Sequence, residues 1–173
     1  MKKKIIKKKS TAKKTTSKPK KVNYLPKGYQ NVTPCFAVNN AKSAIEFYVK
    51  AFGAKVVMKM EKPGGKIGHA ELKIGDGKVM LSDEFPEMGA RGPKAYGGCA
   101  MGIHLYVKKV DDVVNKAKKL GAKVRRPVTD MFYGDRSGTI EDPYGHIWHI
   151  STHIEDLTQA QMRKRASEFN KKK

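Results

Sequence analysis

The sequence predicts an α+β fold made of a strand–helix–strand–strand–strand unit used twice. Three observations carry the prediction. Apolar runs, helix-like spacings and turn signals fall in the order βαβββ in each half of the chain. Both helical segments close on the same four letters, Gly53-Ala54-Lys55-Val56 and Gly121-Ala122-Lys123-Val124. Aligning Val38 with Val107 and these two stops needs one gap, so an internal duplication is the economical reading. A length of 173 residues suits one domain of ordinary size with a real core.

In the first unit, Asn31 to Val38 reads as a strand, and Asn39 and Asn40 supply turn and helix-cap signals. Ala44, Ile45, Phe47, Tyr48 and Phe52 then fall at near-helical spacing, with Gly53 as the stop. Lys55 to Glu61 is the next strand, Pro63-Gly64-Gly65 a turn, and Lys66 to Ile74 another strand. Gly75-Asp76-Gly77 signals a tight hairpin, returning along Lys78 to Ser82. In the second unit, Ile103 to Val107 is a strand, and Asp111 or Asp112 is expected to cap a helix carrying Val113, Val114, Ala117 and Leu120. Gly121 stops it. Lys123 to Pro127, Gly134 to Glu141 and Gly145 to Ser151 complete the unit. Thr158 with Gln161 makes a capping box for a last helix over 157–170, whose Met162 and Phe169 are expected to pack on the domain. The two units span about 30–84 and 101–152 within a domain at 23–160.

Charge is unevenly placed. The chain holds 37 Lys and Arg against 16 Asp and Glu, a formal charge of +21, and eleven of the lysines lie in residues 1–22, which have no acid. That segment has almost nothing to bury and is expected to be disordered. It lacks the apolar stretch of a secretory signal, and no run approaches the ~20 apolar residues needed to cross a bilayer, which excludes an integral membrane protein. Such a polycation would condense on nucleic acid without sequence preference and with steep salt dependence. Aromatics that could stack on bases are absent from it. Cys35 and Cys99 form no CxxC and point neither to a disulfide framework nor to a cysteine zinc site, so a reducing, cytoplasmic setting is the default.

The motifs resemble the vicinal oxygen chelate superfamily, which includes glyoxalases, bleomycin-resistance proteins and extradiol dioxygenases, and are most similar to its PhnB-like branch. The residues carrying the resemblance are Val32-Thr33-Pro34 with Ala44-Ile45-Glu46-Phe47-Tyr48, His69-Ala70-Glu71 with Met80-Leu81-Ser82-Asp83-Glu84, and Gly134-Asp135-Arg136. To these is added the run Asp142-Pro143-Tyr144-Gly145-His146-Ile147-Trp148. The resemblance implies two βαβββ modules whose curved mixed sheets close around a cleft, a small-molecule ligand there, and a homodimer.

In metal-using members of this superfamily each module gives one ligand from its first strand and one from its last. Carried over residue by residue, those positions are Thr33 and Met80 in the first module, both poor donors for a divalent metal such as Zn, Ni, Mn or Fe. In the second they are Gly102, with His104 two residues on and on the same face, and His149, where the family usually has Glu. His104 and His149 are therefore the candidate ligands, with His69 as a possible third. The missing carboxylate also removes the usual proton-abstracting base. Glu71, two after His69 on one strand face, is the candidate that remains.

His146 is assigned to a turn, and Trp148 faces away from His149. Asp135-Arg136 reads as a local ion pair or an anion contact, and Met131, Phe132 and Tyr133 as a cleft lid or edge packing. Gly64-Gly65 and Gly97-Gly98 match neither dinucleotide nor P-loop spacing. Three functions compete: an atypical metal-dependent lyase, isomerase or dioxygenase; a non-catalytic small-molecule sequestering protein; and a nucleic-acid-associated protein acting through its tail. Bleomycin itself is disfavoured as ligand, because that drug is cationic and the domain is net positive.

Overall fold

The computed structural model describes residues 22–171, and the lysine-rich segment expected to be disordered lies, apart from Val22, outside the described residues. The first module is β1 (Cys35–Val38), α1 (Ala41–Phe52), β2 (Lys55–Glu61), β3 (Ile67–Ile74) and β4 (Gly77–Asp83). The second is β5 (Gly102–Tyr106), α2 (Val110–Lys119), β6 (Lys123–Asp130), β7 (Asp135–Glu141) and β8 (Ile147–His153), followed by α3 (Gln159–Asn170). Each module forms a four-stranded mixed sheet with its first strand parallel to its last: β1-β4-β3-β2 and β5-β8-β7-β6. The two sheets carry the same irregularity, a bulge between Val56 and Met58 on β2 and between Val124 and Arg126 on β6. No helix among the described residues is long and apolar enough to cross a membrane.

Local chemistry explains most boundaries. Asn40 caps α1 by accepting from the Ser43 amide at 3.0 Å, and Gly53 ends it at φ 67°, where a side chain would be strained. β1 begins four residues later than the sequence suggests. Pro34 has no N–H to give a ladder, and only its carbonyl takes part, accepting from Met80 at 2.8 Å. α2 departs further from expectation: neither Asp111 nor Asp112 is its cap. The helix starts at Val110, whose amide donates to Thr152 Oγ1 of β8 at 2.9 Å, while the two aspartates occupy the first turn and favour the helix dipole. α1 uses the same device, with its Ala41 amide held by Asp83 Oδ1 of β4 at 2.8 Å. In both modules the last strand fixes where the helix begins.

α1 and α2 pack on each other and on one face of each sheet, giving a single apolar core that includes Tyr48, Leu72, Leu81, Ile140, Trp148 and Ile150. At its centre lies Asp142, 2% exposed, which accepts from Tyr48 Oη of the first module at 2.7 Å and Trp148 Nε1 of the second at 3.0 Å. The capping box of α3 forms as expected, and Phe169 stacks near Phe132, ring centroids 5.5 Å apart. Met162, expected to pack, stays 38% exposed.

Candidate functional site

The helices cover one face of each sheet and leave the other open. Residues abreast on the open faces follow from the strand registers. Across the first sheet runs Cys35–Met80–Glu71–Met58, and across the second runs His104–His149–Thr139–Arg126. The two rows are counterparts, strand for strand. Cys35 is therefore the first module's equivalent of His104, while Thr33 lies ahead of the strand. Sequence alignment alone pointed to Thr33; the signal that finds Cys35 is the alternation of β1, in which Phe36 and Val38 enter the core.

On the second sheet His104 and His149 stand side by side, ring centroids 6.3 Å apart, with Tyr106 against His104 at 4.7 Å. Partial desolvation on the sheet face and the neighbouring His149 hold His104 below the usual histidine range, with Asp135 opposing. His104 is consequently a neutral imidazole at pH 7. His149 Nδ1 lies 3.0 Å from Thr139 Oγ1, and its Nε2 lies over Gly102, where an added Cβ would approach to 2.5 Å. The glycine in β5 is thus the space that the His149 ring fills.

On the first sheet Glu71 is 5% exposed and already surrounded by donors. Lys78 Nζ is 3.4 Å away and His69 Nε2 3.5 Å, and the ammonium of Lys78 also sits 3.5 Å above the Tyr29 ring. The Tyr29 hydroxyl, ahead of Lys78 and His69, outweighs burial and holds the Glu71 carboxyl below the usual range. That leaves an ionised carboxylate with its lone pairs engaged, a weak proton acceptor. His69 leans on Glu71.

A divalent metal does not fit these residues. Among the described residues no three His, Cys, Asp or Glu side chains converge. His149 has one ring nitrogen on Thr139 and the other against Gly102, and the first sheet offers only Cys35 and Met80 at the matching level. The Met80 thioether is a poor donor for Zn(II) or Mn(II), and a cysteine sulfur does not suit Mn(II).

Asp135 and Arg136 do not pair with each other, because neighbours in a strand point to opposite faces. Arg136 bridges Asp111 and Asp130, at 2.8 Å each. Asp135, 4% exposed, accepts from Tyr106 Oη at 2.7 Å and contacts His153 Nδ1 at 2.8 Å. Asp135, then Asp156, raises His153 above its ordinary value of 6.5. A raised histidine stabilises the fold fully below its unfolded value and loses that contribution as pH rises through the folded one. The stability advantage of the protein over His153→Gln should therefore shrink as pH rises from below about 6.5 through the raised folded value, read by urea unfolding at each pH. An advantage that stays constant, or grows, would contradict this account.

A model of the Glyoxalase/Bleomycin resistance protein/Dioxygenase superfamily matches residues 31–150. The chain belongs to that superfamily. Among curated proteins, this superfamily member is 39% identical over 129 residues to protein Rv0887c of Mycobacterium tuberculosis, covering 73% of this chain and 76% of that protein. Among solved structures, the PhnB protein of Bacillus cereus superposes with TM-score 0.56 at 19% identity, over 71% of this chain and 99% of that one. The fosfomycin resistance protein FosX of Listeria monocytogenes, solved with Mn(II) and sulfate, superposes with TM-score 0.56 at 16% identity, over 78% and 95%. At such identities the structural likeness establishes the shared fold.

Proposed function

We propose that this glyoxalase-superfamily protein binds a small organic molecule on the open face of its second module, with His104 and His149 as hydrogen-bonding contacts. The observation that carries the reading is the pair of imidazoles abreast on β5 and β8. His104 also borders a cavity of about 290 Å³ reaching across to Lys78 of the first module. A neutral imidazole can both donate and accept, which suits a polar, uncharged or weakly acidic ligand group. Because no third donor joins His104 and His149 among the described residues and Glu71 is engaged on the other sheet, the reading is recognition and sequestration of the ligand. The exposed Met58, Met60 and Tyr106 on the open faces are surfaces that a second copy would cover in the homodimer expected from the family.

Titrating the full chain with a polar fragment set, and following histidine side-chain resonances by NMR, tests the proposal. His104 and His149 are expected to shift together, and His104→Ala to weaken binding about tenfold, the value of one lost hydrogen bond. Fragments that shift neither ring would overturn it. Zn(II) or Mn(II) is expected to bind only weakly. A one-to-one complex that His149→Ala abolishes would restore the metal-dependent reading.

A further inference from the structure

A second group of reactive side chains, which includes neither His104 nor His149, gathers at the segment 84–101 that joins the modules. There a cavity of about 410 Å³ is bordered by Cys35 and Ala37 of β1, by Arg91 and Cys99 of the joining segment, and by His146 from the turn between β7 and β8. Cys99 also borders a neighbouring cavity of about 500 Å³, so its thiol is approached from two sides. His146 is 6% exposed, tilted against the Phe36 ring at 4.5 Å, and held by its backbone amide to Asp142 at 2.9 Å.

The hydrogen bonds of His146 assign its tautomer. Nε2 is 3.1 Å from the carbonyl oxygen of Ala37, which can only accept, so Nε2 carries the ring proton and Nδ1 the lone pair. Nδ1 faces the cavity, and its one neighbour of hydrogen-bonding type among the described residues is Cys99 Sγ, at 3.9 Å. The thiol has a second acceptor, the Met101 carbonyl at 3.0 Å, so a small rotation moves its proton between a resting partner and a base. A thiol, an adjacent imidazole and a third group that orients that imidazole make up the arrangement of an activated cysteine. Arg91, on the same wall, makes no ion pair among the described residues.

We propose that Cys99 is a nucleophilic thiol, with His146 as its base, that adds to an electrophilic ligand of the α,β-unsaturated carbonyl class bearing an anionic group for Arg91. The Sγ proton passes to His146 Nδ1 and the thiolate forms the Sγ–C bond at the β-carbon. The alkene π pair shifts toward the carbonyl to give an enolate, and His146 Nδ1 returns the proton to the α-carbon. Nothing is oxidised or reduced, and no further reactant is needed. The reacting groups are distinct from His104 and His149, although the second cavity bordered by Cys99 reaches Thr139, the partner of His149.

Cys35, on the wall of the same cavity, serves as an internal reference, since it is exposed and has no hydrogen bond to a histidine among the described residues. The full chain is treated at about pH 6.5 with N-ethylmaleimide or with 3-maleimidopropionic acid, and each thiol is followed by peptide mass spectrometry. Cys99 is expected to react about tenfold faster than Cys35, because an ordinary thiol is almost wholly protonated at that pH. His146→Gln is expected to bring Cys99 down to the rate of Cys35. Arg91→Gln, an exposed change that spares the core, is expected to remove the preference of Cys99 for the carboxylated probe. Equal rates at the two thiols in the unaltered protein overturn the proposal, as does a carboxylate preference that survives Arg91→Gln.

Discussion

Asp142→Ala is expected to cost about 3 kcal/mol or more, because buried donors stripped of their acceptor cost roughly 1–3 kcal/mol each. The carboxylate serves four donors at once: Tyr48 Oη, Trp148 Nε1, and the backbone amides of Tyr144 and His146, the last two at 2.9 Å. Both side-chain donors are almost wholly enclosed, Tyr48 at 0% and Trp148 at 1% exposure. Burial first, and then the Asp142 charge, pushes the Tyr48 hydroxyl well above its ordinary range, so it remains a donor at any working pH. At about 2–4 °C per kcal/mol for a chain of this size, the melting temperature should fall by roughly 6–12 °C. Urea unfolding of Asp142→Ala beside the exposed Asp112→Ala checks this. A loss no greater than that of Asp112→Ala would show that the hub does not tie the modules together.

The second large effect is expected at Gly134, in the turn between β6 and β7. Its φ is 91°, and a Cβ there would run into the carbonyl oxygen of Glu155. Its own carbonyl accepts from the amides of Ile154 and Glu155, at 3.0 Å each, so the turn cannot swing away without releasing the start of the C-terminal segment. Gly53, with φ 67° and open space around it, isolates the backbone term. Gly53→Ala should cost about 1 kcal/mol, the strain of a left-handed residue alone. Gly134→Ala should cost about 3 kcal/mol, since overpacking against fixed backbone adds to that strain. Equal losses in the two variants, measured by denaturant unfolding, would refute the steric argument.

These two sites show how far the residues could be read without coordinates. The duplicated units, the strand and helix order, the Asn40 and Gly53 caps and the Thr158 capping box were legible because each is a local signal within a few residues. The run from Asp142 to Trp148 stood out as a family motif, but its physical role was hidden, since Tyr48 lies 94 residues away. The same limit explains α2. Asp111 and Asp112 are good local caps, and the residue that wins, Thr152, arrives from a strand 42 residues on. Cys35 is not visible in the sequence as the counterpart of His104, because that match is set by pairing with Met80 and register is a property of two strands. The thiol–imidazole contact of Cys99 and His146 likewise joins segments that no spacing rule connects.

The matched rows on the two open faces show where the two modules differ in length. Counterparts lie 69 positions apart in the first and last strands (Cys35 and His104, Met80 and His149) and 68 apart in the middle two (Glu71 and Thr139, Met58 and Arg126). Relative to the first module, the second is one residue shorter along the helical crossover and one longer in the last turn, where Pro143-Tyr144-Gly145 stands against Gly75-Asp76. Both length changes fell where the chain leaves the sheet, and even the bulges of β2 and β6 remained in step. A slip inside a strand would have turned every later side chain to the wrong face. The length difference is therefore confined to the connections, and the last turn is itself held in place, because Asp142 binds the amides of Tyr144 and His146 on either side of Gly145.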